Sequence, residues 1–386
     1  MATEPGETTH MTLLSRWERG LQLLRRLPFA VECTLVGVLL NLASLVLYAP
    51  PLFLDPQSDN RIFDVIKMSE QPLGGDLHEP ILRYRLTIPL IAHLLGFRSI
   101  GSLYALQVVF NCAFLAMLFA VIASRTPRAL ALMASACFAF SQAGQTGNTW
   151  LGVQDPVTNF SICLLMVRTD LWVSAVIFAG LLADERAVLA LPFVLIWHAL
   201  EDDPEKGPGL SRVFRPLLVF AVGAAAAFGL RRALQSGLIG PGIPKLKVYD
   251  GIAQNIRSPL RQLFSYPDSF FLAPLFAFRF LWLLPAFMLT RVPSSITKGL
   301  TWLTLLGIAG GTLVVSFGGD WTRSVAFMFP AFLWMVPVLA KHARDARKIF
   351  MVVLLGMVLS PQFFNDPTRG GWIRPLPAVL MRLIHS

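Results

Sequence analysis

From Gly101 to Ala123 the chain carries no charged residue, and a run of that kind can fold in few ways. It is long enough to cross the hydrocarbon core of a bilayer as a helix, the element that satisfies its own backbone polar groups where water is absent. Phe29 to Tyr48 is of similar length and follows a basic stretch holding Arg16, Arg19, Arg25 and Arg26. Over 386 residues, 55% are hydrophobic and only 15% charged, with a mean hydropathy of +0.60. Soluble domains average about a quarter charged residues, so a water-soluble core could not hide this much apolar surface. The expected fold class is all-α: a polytopic transmembrane helical bundle.

Alternating the apolar runs across a membrane gives about 11 spans within one integral domain, residues 1–386. Residues 1–28 form a cytoplasmic N-terminal segment, because Lys and Arg accumulate on that side. Residues 50–100 are a long first outer loop, in which Leu86 to Leu95 is too short to cross and reads as an interfacial or re-entrant helix. The basic turn SRTPR (124–128) follows, then a return outward to a turn-rich loop, QTGNTWLGVQDPVTN. Three short apolar runs come next, divided by Arg168-Thr-Asp170 and Asp184-Glu185-Arg186. A second long outer loop covers 235–269. The run from Phe270 to Leu289 is interrupted by Pro274, Arg279 and Pro285, and GGDWTR makes a later outer turn. KHARDARK (341–348) is a basic cytoplasmic cluster, and residues 361–386 form an outer C-terminal segment. Each short turn on the cytoplasmic side carries Lys or Arg, as the positive-inside bias requires.

Several function classes fall away. The net charge of +10 follows from membrane topology, and no zinc-finger, RNP-like or basic-helix pattern supports nucleic-acid binding. Walker A, GxSxG, HExxH and strand-linked GxGxxG signatures are missing. Cys33, Cys112, Cys137 and Cys163 lie in apolar runs without CxxC spacing and read as core residues. The six histidines are scattered, with no metal-ligand spacing.

What remains is a set of acids and arginines placed on the outer side. Asp59 and Asp64 open the first loop, and Arg83 and Arg85 close it. Asp155 sits in the next outer turn, Glu185 and Arg186 in a third, and Asp320 with Arg323 one helical turn apart on one face. An arginine fork suits phosphate and stays charged at any relevant pH. A nearby carboxylate can take a proton from an attacking hydroxyl or coordinate a divalent ion. Each residue also has a plainer role. Asp59 and Asp320 can cap helices, Asp155 before Pro156 can start one, Arg83 and Arg85 can snorkel to headgroups, and Glu185–Arg186 can be a local ion pair.

The order of SDNRIFD, RYRLTIPLIAHLLG, GVQDP, LADERAVLALP and GGDWTRSVAFMFP resembles the GT-C superfamily of membrane glycosyltransferases. That resemblance implies a GT-C-like bundle with a long first extracytoplasmic loop and transfer from a polyprenyl-phosphate-linked sugar to a glycan or protein acceptor. It places the chain in the bacterial inner membrane with its N-terminus cytoplasmic and membrane lipid as a partner. It further implies that Asp59 or Asp64 is the catalytic base and that arginines contact the donor phosphate, whose developing charge would be met by Arg or by bound Mg2+ or Mn2+. The large soluble C-terminal domain of some members is not found here. A transporter or flippase of a lipid-linked or anionic substrate is the alternative, since Pro192, Pro274 and Pro285 fit discontinuous helices. A non-catalytic assembly factor with the same fold is a third.

Overall fold

A computed structural model describes residues 28–48, 60–74, 77, 84–149, 152, 154–200, 210–239, 267–315, 321–360, 362–366 and 370–374. Helices dominate: α1 (Phe29–Tyr48), α2 (Asn60–Glu70), α3 (Thr87–Leu95), α4 (Ile100–Ala123), α5 (Arg128–Ala139), α6 (Gln142–Thr149), α7 (Asp155–Val167) and α8 (Val173–Ala183). A 3-10 turn, Glu185–Ala190, leads into α9 (Leu191–Ala199), followed by α10 (Phe214–Gln235). Then come α11 (Pro267–Phe278), a 3-10 turn at Arg279–Trp282, α12 (Leu283–Arg291), α13 (Ser295–Val315) and α14 (Trp321–Ala326). Last are α15 (Pro330–Leu333), α16 (Met335–His342), α17 (Ala346–Leu359) and a two-stranded antiparallel hairpin of β1 (Gln362–Asp366) and β2 (Gly370–Arg374).

Among the described residues, six helical stretches are long and apolar enough to span a bilayer: Phe29–Leu47, Ile100–Ala123, Ser211–Gln235, Phe271–Arg291, Ser295–Val315 and Thr322–His342. The chain is therefore a multi-pass membrane protein. Thr322–His342 is the most enclosed of these, with Phe327, Phe329, Phe332 and Trp334 all buried. Phe329 meets Phe114 edge-on at 5.5 Å, and Trp282 stands perpendicular to Phe332 at 5.3 Å, geometries that aromatic quadrupoles favour. Leu39, Val46, Leu306 and Val314 point outward on α1 and α13, as lipid-facing residues would.

Side-chain contacts define two ends of the bundle. At one end Arg128 pairs with Glu32 at 2.9 Å and stacks on Phe29. Arg125 donates to the Trp197 carbonyl at 2.9 Å, and the Trp197 indole donates to the Met166 carbonyl at 3.0 Å. Arg215 reaches Asp170 at 3.1 Å. These bonds gather the start of α1, the turn at 124–128, the end of α7, the end of α9 and the start of α10. The opposite end gathers the starts of α3, α7 and α14 with the end of α8, and it holds the candidate site.

The structure corrects one sequence expectation outright. The stretch read as a turn-rich loop contains α6, QAGQTGNT, whose residues 142–148 are buried, and Asp155 is the first residue of α7. Its intrinsic helix propensity is poor. Tertiary bonding compensates: the carbonyls of Ala143, Gly144 and Gly147 accept from Asn159, Asn111 and Gln107 at 3.1, 3.1 and 2.7 Å. The interruption expected near Arg279 is present, with Arg279 in the left-handed region at φ 46. Leu94 and Leu95 are exposed at the end of the short helix α3.

Candidate functional site

Five helix ends meet around one carboxylate. Helix α8 stops at Asp184, whose extended backbone (φ −156) turns the chain into the following 3-10 turn. The Asp184 side chain accepts from the Arg186 amide at 3.0 Å and from Arg186 Nε at 2.8 Å. Arg85 Nη2 lies 3.1 Å from its Oδ2, and Arg323 Nη2 lies 3.4 Å away. Arg323 also donates through Nε to Asp155 Oδ2 at 2.7 Å. Asp184 is wholly buried, and Asp155, Arg323 and Arg85 are nearly so. Arg186 binds Ser324 and lies over the Phe327 ring, so it braces the turn against α14.

Gln154 fixes the frame. Its amide donates to the Arg85 carbonyl at 2.7 Å and accepts from the Ile88 amide at 3.1 Å, which joins the entry of α3 to the start of α7. Thr87 Oγ1 donates to the Ala179 carbonyl at 2.6 Å, securing the same segment to α8. Next door, Arg231 donates to Glu185 at 3.1 Å and to the Leu181 carbonyl at 2.8 Å, with the Tyr84 ring 6.0 Å away.

The electrostatics favour an anion. Arg85, Arg186 and Arg323 face Asp155 and Asp184, which leaves one positive charge in excess in a water-poor setting. Burial pushes the Asp184 carboxyl up, but Arg186, Arg85 and Arg323 together outweigh it and hold the group well below the usual carboxylate range. Asp184 therefore stays ionised. Arg85 Nε, Arg231 Nε and the Tyr84 hydroxyl are buried without hydrogen-bond partners, as is Asp155 Oδ1. Three of these four are donors.

The sequence candidates divide as follows. Arg85, Asp155, Arg186 and Arg323 come together on one ionic network. Glu185 sits beside it, paired with Arg231 rather than with Arg186. Asp64 is fully buried on α2, one turn before Met68, which packs with Leu86 and Leu234 beside the network. Asp59, Arg83 and Asp320 lie outside the described residues. Sequence reasoning missed Asp184, the network's centre, as well as Arg231, Tyr84 and Gln154. The DER triplet was the available signal for Asp184.

The described part of the site does not suit a divalent cation. Both Asp184 oxygens are engaged by guanidinium groups, one Asp155 oxygen is held by Arg323, and the surrounding charge is positive. Among the described residues no three His, Cys, Asp or Glu side chains gather in a metal-holding group. No family model, curated protein or solved structure matches the chain.

Proposed function

We propose that the chain is a membrane glycosyltransferase of GT-C type that moves a sugar from a polyprenyl-phosphate donor to a cell-envelope acceptor on the outer face. The observation that carries this reading is the buried arginine network with its unpartnered donors, Arg85 Nε, Arg231 Nε and Tyr84 Oη, at one end of a membrane bundle. Donors without acceptors, beside excess positive charge, match a phosphate ester.

The end carrying Arg125, Arg128, Arg168 and Arg215 is assigned to the cytoplasm by the positive-inside bias, which puts the network and the C-terminal hairpin outside. The N-terminus is then cytoplasmic in a bacterial inner membrane. About eleven passes follow when the α5–α6 pair, α7, α8, the 3-10 turn with α9, and α17 cross alongside the six long spans.

In the reaction, the acceptor hydroxyl attacks the anomeric carbon while a carboxylate takes its proton. The bond from that carbon to the phosphate oxygen breaks, and its electron pair leaves on the polyprenyl phosphate. The leaving phosphate gains a negative charge, which the arginines meet in place of water. Both Asp184 oxygens are held by arginines, so Asp184 makes a poor base, and the choice of base is carried over from the family resemblance. Asp64, in the first loop, is assigned as the base, and Asp59 as its alternate from the same stretch.

The test is binding of inorganic phosphate and of a short-chain polyprenyl phosphate to protein in nanodiscs. Wild type should bind both, and Arg323→Gln should weaken both about tenfold or more, as expected for a charge-assisted contact. Equal binding by the variant would defeat the assignment. A transporter of an anionic lipid-linked substrate is favoured by one observation, the left-handed break at Arg279 within Phe271–Arg291. Sugar transfer by sealed proteoliposomes, without net translocation of donor, decides between the two.

A further inference from the structure

KHARDARK (341–348) takes no part in the ionic network and lies far from it. The span Thr322–His342 starts beside Arg323 and ends at this turn, which puts the turn at the opposite end of the bundle, the end that carries Arg128. There α16 passes into α17 through residues 343–345, and α12 passes into α13 through residues 292–294. Because α12 packs against both α13 and α16, the two turns stand side by side.

This corner holds charge that the chain does not balance. Arg291, Arg344, Arg347 and Lys348 are exposed, and Lys298 is half-exposed. Asp345 is the one acid in the two turns and the helix ends that flank them. Among the described residues none of these five cations makes an ion pair. Other arginines at this end are matched: Arg128 holds Glu32 at 2.9 Å, and Asp170 holds Arg168 at 3.5 Å and Arg215 at 3.1 Å. The helix ends add to the imbalance. Lys298 lies in the first turn of α13, and Arg347 and Lys348 lie in that of α17, with no acid in either turn. A helix N-terminus is its positive pole, so cations there are unfavourable and an outside anion is favoured. Membrane topology accounts for the sign of these turns, but it does not supply the counter-charge.

The neighbours decide what kind of anion fits. Ile296, at the start of α13, is 41% exposed, and Met351 and Val352, one turn into α17, are 47% and 51% exposed. Large apolar side chains facing out so close to the cations set the charges at the edge of the hydrocarbon, where lipid headgroups lie. We infer that the corner formed by Arg291, Lys298, Arg344, Arg347 and Lys348 docks anionic phospholipid, with the phosphodiester against the cations and the acyl chains beside Met351 and Val352. This surface is independent of the sugar-transfer reading, whose site is at the other end of the bundle.

The full chain in detergent is titrated with phosphatidylglycerol or with phosphatidylcholine of the same acyl chains, and bound lipid is counted by native mass spectrometry. Wild type should bind phosphatidylglycerol about tenfold or more tightly than phosphatidylcholine, since each cation beside an anionic headgroup is worth about fivefold. Arg344→Gln/Arg347→Gln should lose most of that preference while binding phosphatidylcholine as wild type does. Both side chains are exposed, so its melting temperature should not fall. The charge-matched variant Arg168→Gln/Arg215→Gln should keep the preference. Equal affinity of wild type for the two lipids would overturn the docking surface, and so would equal losses in the two variants, which would make net charge the cause. Glycerol 3-phosphate or a polyglutamate peptide at the same concentration should not displace the lipid, because neither brings an acyl chain to Met351 and Val352. Displacement by either would turn the corner into a site for soluble anions and overturn the lipid assignment.

Discussion

Replacing Asp184 with Asn isolates the group on which the site is built. Asp184 is fully buried and meets Arg186 at 2.8 Å, Arg85 at 3.1 Å and Arg323 at 3.4 Å. The substitution keeps the shape but raises the excess charge of the network from one to two, with Asp155 alone left to face three arginines. Removing one partner from a buried ionic arrangement costs about 3–5 kcal/mol. With an unfolding entropy of about 2 cal/mol/K per residue over 386 residues, that corresponds to a melting temperature about 5 °C lower. The companion variant Asp184→Asn/Arg85→Gln returns the excess charge to one. It should be less destabilised than the sum of the two single variants by about 1–3 kcal/mol. Melting in nanodiscs by intrinsic tryptophan fluorescence reads all three proteins. Asp184→Asn melting within 1 °C of wild type, or strict additivity in the double variant, would refute the three-to-one arrangement (1 °C being about 0.8 kcal/mol on the same entropy).

Other outcomes follow from single observations. Because the arginines depress the Asp184 carboxyl, its stabilising contribution is complete above the ordinary Asp value of about 3.9 and is lost as pH falls below it. Melting measured from pH 3 to 7 should therefore drop at the acid end in wild type, with a shallower drop in Asp184→Asn. Gly37→Ala should destabilise by about 1–3 kcal/mol, since its Cβ would lie 2.5 Å from the Cys112 carbonyl oxygen and 2.8 Å from the Ala116 nitrogen, backbone that cannot step aside. Gly310→Ala, with open space around it, should be neutral or gain about 0.5–1 kcal/mol of helix propensity, and equal effects at the two positions would contradict the α1–α4 packing. Arg279 holds the end of α17 through the carbonyls of Met357 (3.0 Å) and Ser360 (3.3 Å). Arg279→Gly relieves its left-handed backbone but removes those bonds, so faster hydrogen exchange at the end of α17 is expected, and unchanged exchange would show that the bonds contribute little.

The helices were legible wherever a span is a plain apolar run, because hydropathy alone specifies Ile100–Ala123 or Phe29–Tyr48 in a bilayer. Helix α6 was not, because Gln, Gly, Thr and Asn read as loop residues. Their helix exists through carbonyls accepting from Gln107, Asn111 and Asn159, partners between 16 and 40 residues away. The site was half legible for a related reason. Charge is scarce in this chain, so Arg85, Asp155, Arg186 and Arg323 stood out. Their meeting point did not. Asp184 has one local partner, Arg186, while Arg85 and Arg323 arrive from opposite parts of the chain. Local spacing suggested a Glu185–Arg186 pair, whereas the 3-10 turn after Asp184 folds Arg186 back onto Asp184 and leaves Glu185 to Arg231.

Profiling polyprenyl-phosphate-linked sugars tests the central claim most directly. Membranes would be compared from cells lacking the chain, from cells with wild type restored, and from cells carrying Asp64→Asn at matched protein levels. Sugar transfer predicts that one polyprenyl-phosphate sugar accumulates in the first and third cases and returns to its normal level in the second. An unchanged lipid-linked sugar pool in cells without the chain, or full restoration by Asp64→Asn, would contradict it.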